Sequence, residues 1–343
     1  MILGGDLGGT KTLLALAEVV DGRIEIIRQQ RFSSTDYGSF DHLLDEFLAD
    51  RPLVASACFG VAGPTDGQTA QLTYLPWSLA AQAISQRFGI AKVRLANDFA
   101  AAANGLSVVD PAFIQTLHPG QPIEHAPRVI LGAGTGLGVA GLIWENGRYR
   151  VIPGEGGHIG FSPQTTAQGE LWRWLFEQNG RVTTEDVVSG PGLTRIYAFF
   201  GGRPQQPEEI SQAALAGTDR LAEQALQLWL SCYGAFAGDL ALHWLARGGV
   251  YLAGGIAAKL LPQIDNSPLV TAFLNKREHA ALVKNMPIYR LTAEDLGLRG
   301  ALALAADHRP ARLRLALTVP VRMVAPPLRE VVMAGTAAMP ASS

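Results

Sequence analysis

Apolar and polar residues change period twice along this chain, and in the same way each time. Residues 2–28, ILGGDLGGTKTLLALAEVVDGRIEIIR, run apolar, break at a cluster of glycines, run apolar again and turn at Asp21-Gly22. That order predicts strand, glycine turn, strand, hairpin, strand. Residues 129–152 repeat it, with a second glycine turn and then Asn146-Gly147 followed by the alternating Arg148-Tyr-Arg-Val-Ile. Setting Ile2-Leu3-Gly4 on Ile130-Leu131-Gly132 superposes the glycine turns and brings Gly22 and Gly147 within three residues of register. The pattern predicts a duplicated chain, each half opening with a three-stranded antiparallel meander.

Each meander is followed by alternating helices and strands. Ser39 to Ala49 has apolar residues at Phe40, Leu43, Leu44, Phe47 and Leu48, the spacing of an amphipathic helix with Ser39 as N-cap. A buried strand, Val54 to Val61, a helix, Leu79 to Phe88, and a strand, Ala91 to Ala96, lead to Asn97-Asp98 and a helical Phe-Ala run. The second half predicts helices over about Glu170–Gln178, Thr184–Val188, Pro191–Phe200, Glu208–Ala216 and Leu221–Ala246. Strand Gly249–Ala253, helix Ile256–Ile264, strand Met286–Leu291 and helix Gly297–Asp307 complete it. Strands alternating with helices indicate an α/β fold. Residues 310–343 show no steady period and are expected to be a poorly packed tail.

The glycine turn at Val129–Leu142 imitates a dinucleotide fingerprint. Gly136, Gly138 and Gly141 spell G-x-G-x-x-G, and Glu155 stands nineteen residues after Gly136. A nicotinamide-cofactor loop must open a helix, whereas Val139-Ala-Gly-Leu-Ile-Trp is β-rich and runs into an Asn-Gly hairpin. The first turn, Gly4-Gly5-Asp6-Leu7-Gly8-Gly9-Thr10-Lys11-Thr12, misses a P-loop because Thr10 separates glycine from lysine and a strand follows. Either turn alone could be a plain tight hairpin. Two equivalent ones suggest a phosphate held against backbone N–H groups where glycine lets the main chain come close and adopt positive φ.

With 343 residues, 48% of them hydrophobic and 17% charged, the chain is long enough for two domains with a substantial core. A net charge of −2 argues against nucleic-acid binding. The two cysteines, Cys58 and Cys232, lie in separate apolar runs, so neither a zinc cluster nor a disulfide framework is expected and a cytoplasmic location fits. The chain opens on a strand-like Met1-Ile-Leu without a basic leader, and the apolar stretch Ala225–Ala246 is interrupted by Gln227, Asp239 and His243, so no membrane insertion is expected.

Several polar residues stand where chemistry could use them. Asp98 is either a helix N-terminal residue or a general base accepting a proton from an attacking hydroxyl. Glu155 and His158 lie in Gly154-Glu-Gly-Gly-His, whose glycines oppose the α-helix that a metal-binding Glu-x-x-His would need, so the loop suits hydrogen bonding to a hydroxyl-rich ligand. Asp6 suits a Mg²⁺-bound water. Glu185, in the first turn of a short helix, reads by itself as a complement to the helix dipole. Gly254-Gly255 closes a strand onto a helix and leaves room for a base or ribose.

Taken together these segments resemble the bacterial glucokinases of the hexokinase and actin-like ATPase superfamily, over about residues 2–307. GDLGGT at Gly5–Thr10 resembles the first phosphate motif, GAGTGLG at Gly132–Gly138 the second, and LAGGI at Leu252–Ile256 the adenosine motif. LANDF at Leu95–Phe99, PGEGGH at Pro153–His158 and SGPGL at Ser189–Leu193 are more particular to the sugar-kinase branch. The resemblance implies a duplicated ribonuclease H-like fold with a cleft between a small domain, 1–108 plus about 298–309, and a large one, 109–297. It implies ATP-dependent transfer to the 6-hydroxyl of glucose, with Asp98 as base and Asn97, Asp98, Glu155, His158 and Glu185 holding the sugar. ATP with Mg²⁺ would lie on Gly5, Asp6, Leu7, Gly8, Gly9, Thr10, Gly134, Thr135, Gly136, Gly254 and Gly255, with Asp6 reaching the metal through water. Ile159-Gly-Phe-Ser-Pro replaces the cysteine cluster that follows this loop in the repressor and kinase group, so no zinc is expected. A homodimer is implied as well. The alternatives are a kinase of another hexose or amino sugar and a sugar-sensing regulator without catalysis; an NAD oxidoreductase would need the helix that the second glycine turn lacks.

Overall fold

In the computed structural model, which describes residues 1–72 and 75–307, β1 (Ile2–Leu7), β2 (Lys11–Val20) and β3 (Arg23–Ser33) form the expected meander. Asp21 and Gly22 have φ of 48° and 79°, positive at both central positions as a tight hairpin between twisted strands requires. Helix α1 (Phe40–Phe47) follows, with the Ser39 hydroxyl accepting the His42 N–H. The fully buried β4 (Ser56–Val61) lies parallel to β1. Next come a short ribbon of β5 (Thr69–Gln71) and β6 (Ser78–Ala80), then α2 (Ala81–Phe88), β7 (Lys92–Asn97) and α3 (Asp98–Gly105). The sheet order is β3-β2-β1-β4-β7, with β7 parallel to β4.

The second half adds β8 (Ile114–His118), then β9 (Arg128–Ala133), β10 (Leu137–Glu145) and β11 (Arg148–Gly154) as a second antiparallel meander. Its turn residues Asn146 and Gly147 have φ of 51° and 79°, nearly the values at Asp21-Gly22. Helices α4 (Thr166–Asn179), α5 (Thr184–Val187), α6 (Gly190–Phe199), α7 (Pro207–Ala216) and α8 (Arg220–Trp244) lead to β12 (Val250–Ala253). The chain continues through α9 (Gly254–Lys259), α10 (Ser267–Leu274), α11 (Ala280–Lys284), β13 (Ile288–Leu291) and α12 (Leu296–Asp307). This sheet runs β11-β10-β9-β12-β13-β8, and without the added edge strand β8 its order matches the first sheet position for position. The duplication read from the glycine turns is therefore a duplication of topology.

Each sheet buries both faces. Leu7, Leu14, Phe59 and Trp77 pack with α1 and α2 on one side of the first sheet, while Ile2, Cys58, Leu298 and Leu302 pack on the other. In the second half, α8 supplies Trp229, Tyr233 and Phe236 to the largest apolar cluster, beneath β9. The opposite face of that sheet, through Ile130, Ala140 and Tyr251, meets Ala103, Leu106 and Leu296. Helices α3 and α12 thus lie between the two sheets, so α3 is fixed by both halves.

Some sequence expectations need correction. Leu79 belongs to β6, paired with β5, and the helix starts only at Ala81. The expected helix Ile256–Ile264 begins earlier, at Gly254, and ends at Lys259; Pro262 then sits in a single 3-10 turn because it has no N–H to continue the ladder. Helix α4 starts at Thr166 rather than near Glu170, since the Thr165 hydroxyl accepts the Gln168 N–H. The pattern gave no notice of β8, α10 or α11. No helix among the described residues is long and apolar enough to cross a membrane. The segment 310–343, expected as a tail, lies outside the described residues.

Candidate active site

The parallel strands β1, β4 and β7 end together at Leu7, Val61 and Asn97, and their carboxyl ends open the crevice where α/β sheets hold ligands. The β1–β2 turn stands at its edge. Its Gly8 N–H donates to Lys11 O at 3.0 Å. A brace from another element fixes it: the buried Ser34 hydroxyl donates to Gly8 O at 2.8 Å, lies 2.9 Å from the Thr12 hydroxyl, and the Ser34 N–H donates to Thr10 O at 3.0 Å. Gly5 and Leu7 are buried strand residues, with Gly5 packed against Phe59 and Leu14 and the Leu7 carbonyl accepting the Ala62 N–H.

The β9–β10 turn is held from three sides. Gly134 N–H donates to Gly136 O at 2.8 Å, the Gly190 N–H of α6 donates to Gly134 O at 2.7 Å, and Leu137 N–H donates to Glu185 Oε2 at 2.7 Å. Behind it, Trp229 Nε1–H donates to Ser189 O at 3.0 Å, so α8 steadies the start of α6. Gly8, Gly134 and Gly136 are not in the left-handed region that the sequence reading expected. Close approach explains Gly136 instead, because a Cβ there would lie 2.7 Å from the Glu185 carboxylate. Gly254 does need its freedom: φ is 86°, and a Cβ would fall 2.7 Å from Ala133 O.

Between the halves lies a cavity of about 230 Å³ lined by Asp6, Lys11, Asp98, Phe99, Gly255 and Lys259 among others. Burial lifts the Asp6 carboxyl to about 6; the nearby charge of Asp98 adds to this and Lys11 opposes it. Asp98 is raised too, first by burial and then by the Glu155 carboxylate, against the Phe99 N–H that donates to Asp98 Oδ1 at 2.7 Å. Asp98 therefore acts on Asp6, and Glu155 on Asp98, although the three are far apart in sequence. Asn97 uses its side-chain oxygen to cap α3, accepting the Phe99 and Ala100 N–H groups at 3.0 and 3.1 Å. Its amide is left as a donor group, and it also hydrogen-bonds the Asp98 carboxylate, which favours the charged form of that acid.

Glu155 begins a single 3-10 turn, Gly156–His158, so the glycine-rich loop is not an α-helix but is ordered by its own hydrogen bonds. Gly157 has no room for a side chain, since a Cβ would sit 2.2 Å from Leu137 O. Glu155 and His158 are exposed, and Arg181 donates to the His158 carbonyl at 3.0 Å. Phe99 joins the halves: Cβ atoms on Gly132 and Gly138 would fall 2.5 and 2.3 Å from its ring. The helix carrying Asp98 is thereby seated on the strands that flank the second glycine turn.

A larger cavity, about 860 Å³, lies beyond that turn between α6, α7 and α9, and its walls include Gly134, Thr135, Pro207, Gly255 and Ile256. The glucokinase family model matches residues 3–308. The chain belongs to that family. It is 37% identical to a glucokinase of Nostoc punctiforme, covering 89% of this chain and 99% of the relative. Among solved structures it resembles a glucokinase from an Antarctic psychrotroph, with TM-score 0.81, 29% identity and coverage of 89% and 98%. A Balamuthia mandrillaris glucokinase in complex with glucose shares the fold at TM-score 0.72, with 22% identity and coverage of 89% and 93%.

Membership in the glucokinase family accounts for the motifs but not for all that surrounds them. Ser34, Lys259 and the α7 wall of the larger cavity were not singled out in the sequence, and Lys11 was noticed only as the lysine of a near-miss P-loop. Ser34 stands in an unremarkable Phe-Ser-Ser-Thr run and gains its role only where β3 ends beside the first turn. Phe99 was visible inside LANDF, yet its contact with Gly138 depends on the packing of the two sheets.

Proposed function

We propose that this chain catalyses ATP-dependent phosphorylation of glucose at its 6-hydroxyl, with Asp98 as general base. The observation that carries this reading is the cleft in which Asp6 and Asp98 lie together, with a raised carboxyl at the helix start that a hydroxyl could approach. A base whose pKa is raised toward the working pH is better matched to a proton from a sugar hydroxyl. The sugar would be bound by Asn97, through its amide, and by Asp98, Glu155, His158 and Glu185. ATP would place its base in the larger cavity near Gly254 and Gly255, and its phosphates along Gly5–Thr10 and Gly134–Gly136.

Phosphoryl transfer asks the protein for position and for donors to the charge spread over the phosphoryl oxygens. Backbone amides of the two turns are suited to donate, and closing the halves on the sugar would exclude water. Among the described residues no group of three His, Cys, Asp or Glu stands ready to hold a metal. Asp6, partly buried beside Asp98, fits a Mg²⁺ that arrives with ATP and keeps water and phosphate as its other ligands. When bound, that ion would neutralise charge developing on the phosphates.

The same reading divides the chain into 1–108 with about 298–309, and 109–297, hinged where α3 and α12 meet both sheets. It also takes the active form to be a cytoplasmic homodimer. The relatives named glucokinase favour glucose over other hexoses or amino sugars, and catalysis over sugar sensing. A coupled assay with ATP across a panel of hexoses, with ADP and polyphosphate as alternative donors, tests it. Turnover confined to another sugar, or none with ATP, would overturn it.

A further inference from the structure

We infer that Lys259 is a phosphate-binding residue, clamping the polyphosphate chain where it passes from the nucleotide cavity into the reaction cleft. This rests on the ATP-kinase reading above. The two cavities, of about 860 and 230 Å³, have two wall residues in common, Gly255 and Lys259. A nucleotide with its base in the first and its γ-phosphate beside Asp98 in the second must cross that shared wall. Gly255 has open space where a Cβ would stand, so the backbone there does not obstruct the crossing. Lys259 supplies the charge.

That charge is needed because the smaller cavity is lined by the carboxyls of Asp6, Asp98 and Glu294, with Lys11 and Lys259 as its cations. Three carboxyls oppose the entry of a polyanion, and Lys11 is already set against Asp6. Lys259 Nζ faces Glu294 Oε1 at 3.9 Å, with side chains 69% and 54% exposed. So long and exposed a pair contributes little, and the ammonium is free to exchange it for phosphate oxygens. Lysine suits the task as a compact point charge on a flexible stem that can follow the phosphates.

Calorimetric titration of wild type, Lys259→Ala and Lys259→Arg with a non-hydrolysable ATP analogue, ADP and adenosine, all with glucose and Mg²⁺, tests the assignment. Lys259→Ala is expected to weaken analogue and ADP binding by about tenfold to a hundredfold, the loss of one charge-assisted contact, with adenosine unchanged within about twofold. Lys259→Arg restores most of the analogue affinity, and Glu294→Gln leaves it equal or tighter. Analogue affinity within about twofold of wild type in Lys259→Ala, or an equal loss of adenosine, would overturn the inference. If wild type turns over glucose with ATP while Lys259→Ala keeps its affinity, only the lysine assignment falls; a wild type that binds none of the three nucleotides removes the kinase reading itself.

Discussion

The Glu185 carboxylate accepts the Leu137 backbone N–H at 2.7 Å, tying a residue expected to hold the sugar to the turn expected to hold phosphate. The carboxylate fills the space left by Gly136, where a Cβ would lie 2.7 Å away. Loss of this acceptor frees the turn and removes a sugar contact together. Glu185→Ala should therefore raise KM for ATP severalfold as well as KM for glucose, while Glu185→Gln, which keeps an acceptor, affects ATP less. Steady-state kinetics with each substrate varied would show it; an unaltered KM for ATP in both variants would leave the tie without a catalytic role.

Asp98→Asn keeps the size of the side chain but cannot take the hydroxyl proton. Glucose affinity should stay within about tenfold while kcat falls by roughly 10²–10⁴. Glucose titration by intrinsic fluorescence, set beside the coupled assay, separates the two effects. Retention of most of the turnover would refute the role of base.

Because Asp98 is raised by burial and by Glu155, it holds its proton to higher pH than a free carboxylate. The base works only when deprotonated, so kcat/KM for glucose should fall as pH drops through that raised value, above the usual carboxylate range. Glu155→Gln removes one raising charge and should move the acid limb to lower pH. A limb that stays in place in the variant would mean another group controls it.

Asp6, lifted from 3.8 to about 6, binds its proton more tightly folded than unfolded. Its contribution to stability is fully present below about pH 4 and is lost as pH rises through about 6. Asp6→Asn should accordingly stabilise the nucleotide-free protein by about 1–3 kcal/mol at pH 8 and have little effect near pH 3.5. Denaturant melts at the two pH values provide the comparison, and equal differences at both would exclude this origin.

Gly138 has no space for a methyl group, since its Cβ would fall 2.3 Å from the Phe99 ring. Gly138→Ala should cost about 1–3 kcal/mol by overpacking and lower kcat by displacing the helix that carries Asp98. Phe99→Leu in the same chain should recover part of the stability. Ser34→Ala acts on the other turn: removing a buried donor to Gly8 O should cost about 1–3 kcal/mol and raise KM for ATP more than KM for glucose. Additive losses in the Gly138→Ala and Phe99→Leu pair, or unchanged ATP kinetics in Ser34→Ala, would count against these contacts.

Much of the fold was legible because local chemistry dictates it. Period-two alternation, Asp21-Gly22 and Asn146-Gly147 determine two meanders, and the matching sheet orders follow from repeating them. The helix at Asp98 was legible from an N-cap, and Asn97 does cap it. Strand β8 was not, because it is an edge strand with one neighbour, β13, and most of its residues remain accessible, leaving a weak hydrophobic signal. Helix α10, Ser267–Leu274, is apolar at most of its positions and so shows no polar face to mark a period, and α11 spans only five residues, little more than one turn.

The sequence by itself determined which residue types stand at strand ends and turns, since backbone propensity and spacing act over a few residues. Only the tertiary structure decided which of them act together. The charge of Asp98 helps to raise the Asp6 carboxyl although the two stand far apart in the sequence, Glu185 reaches the second turn from a different helix, and Ser34 braces the first. A hydrogen bond needs its partners at about 3 Å and the Coulomb energy of two charges weakens as they separate, so these pairings exist only once two sheets and the helices between them have fixed the distances.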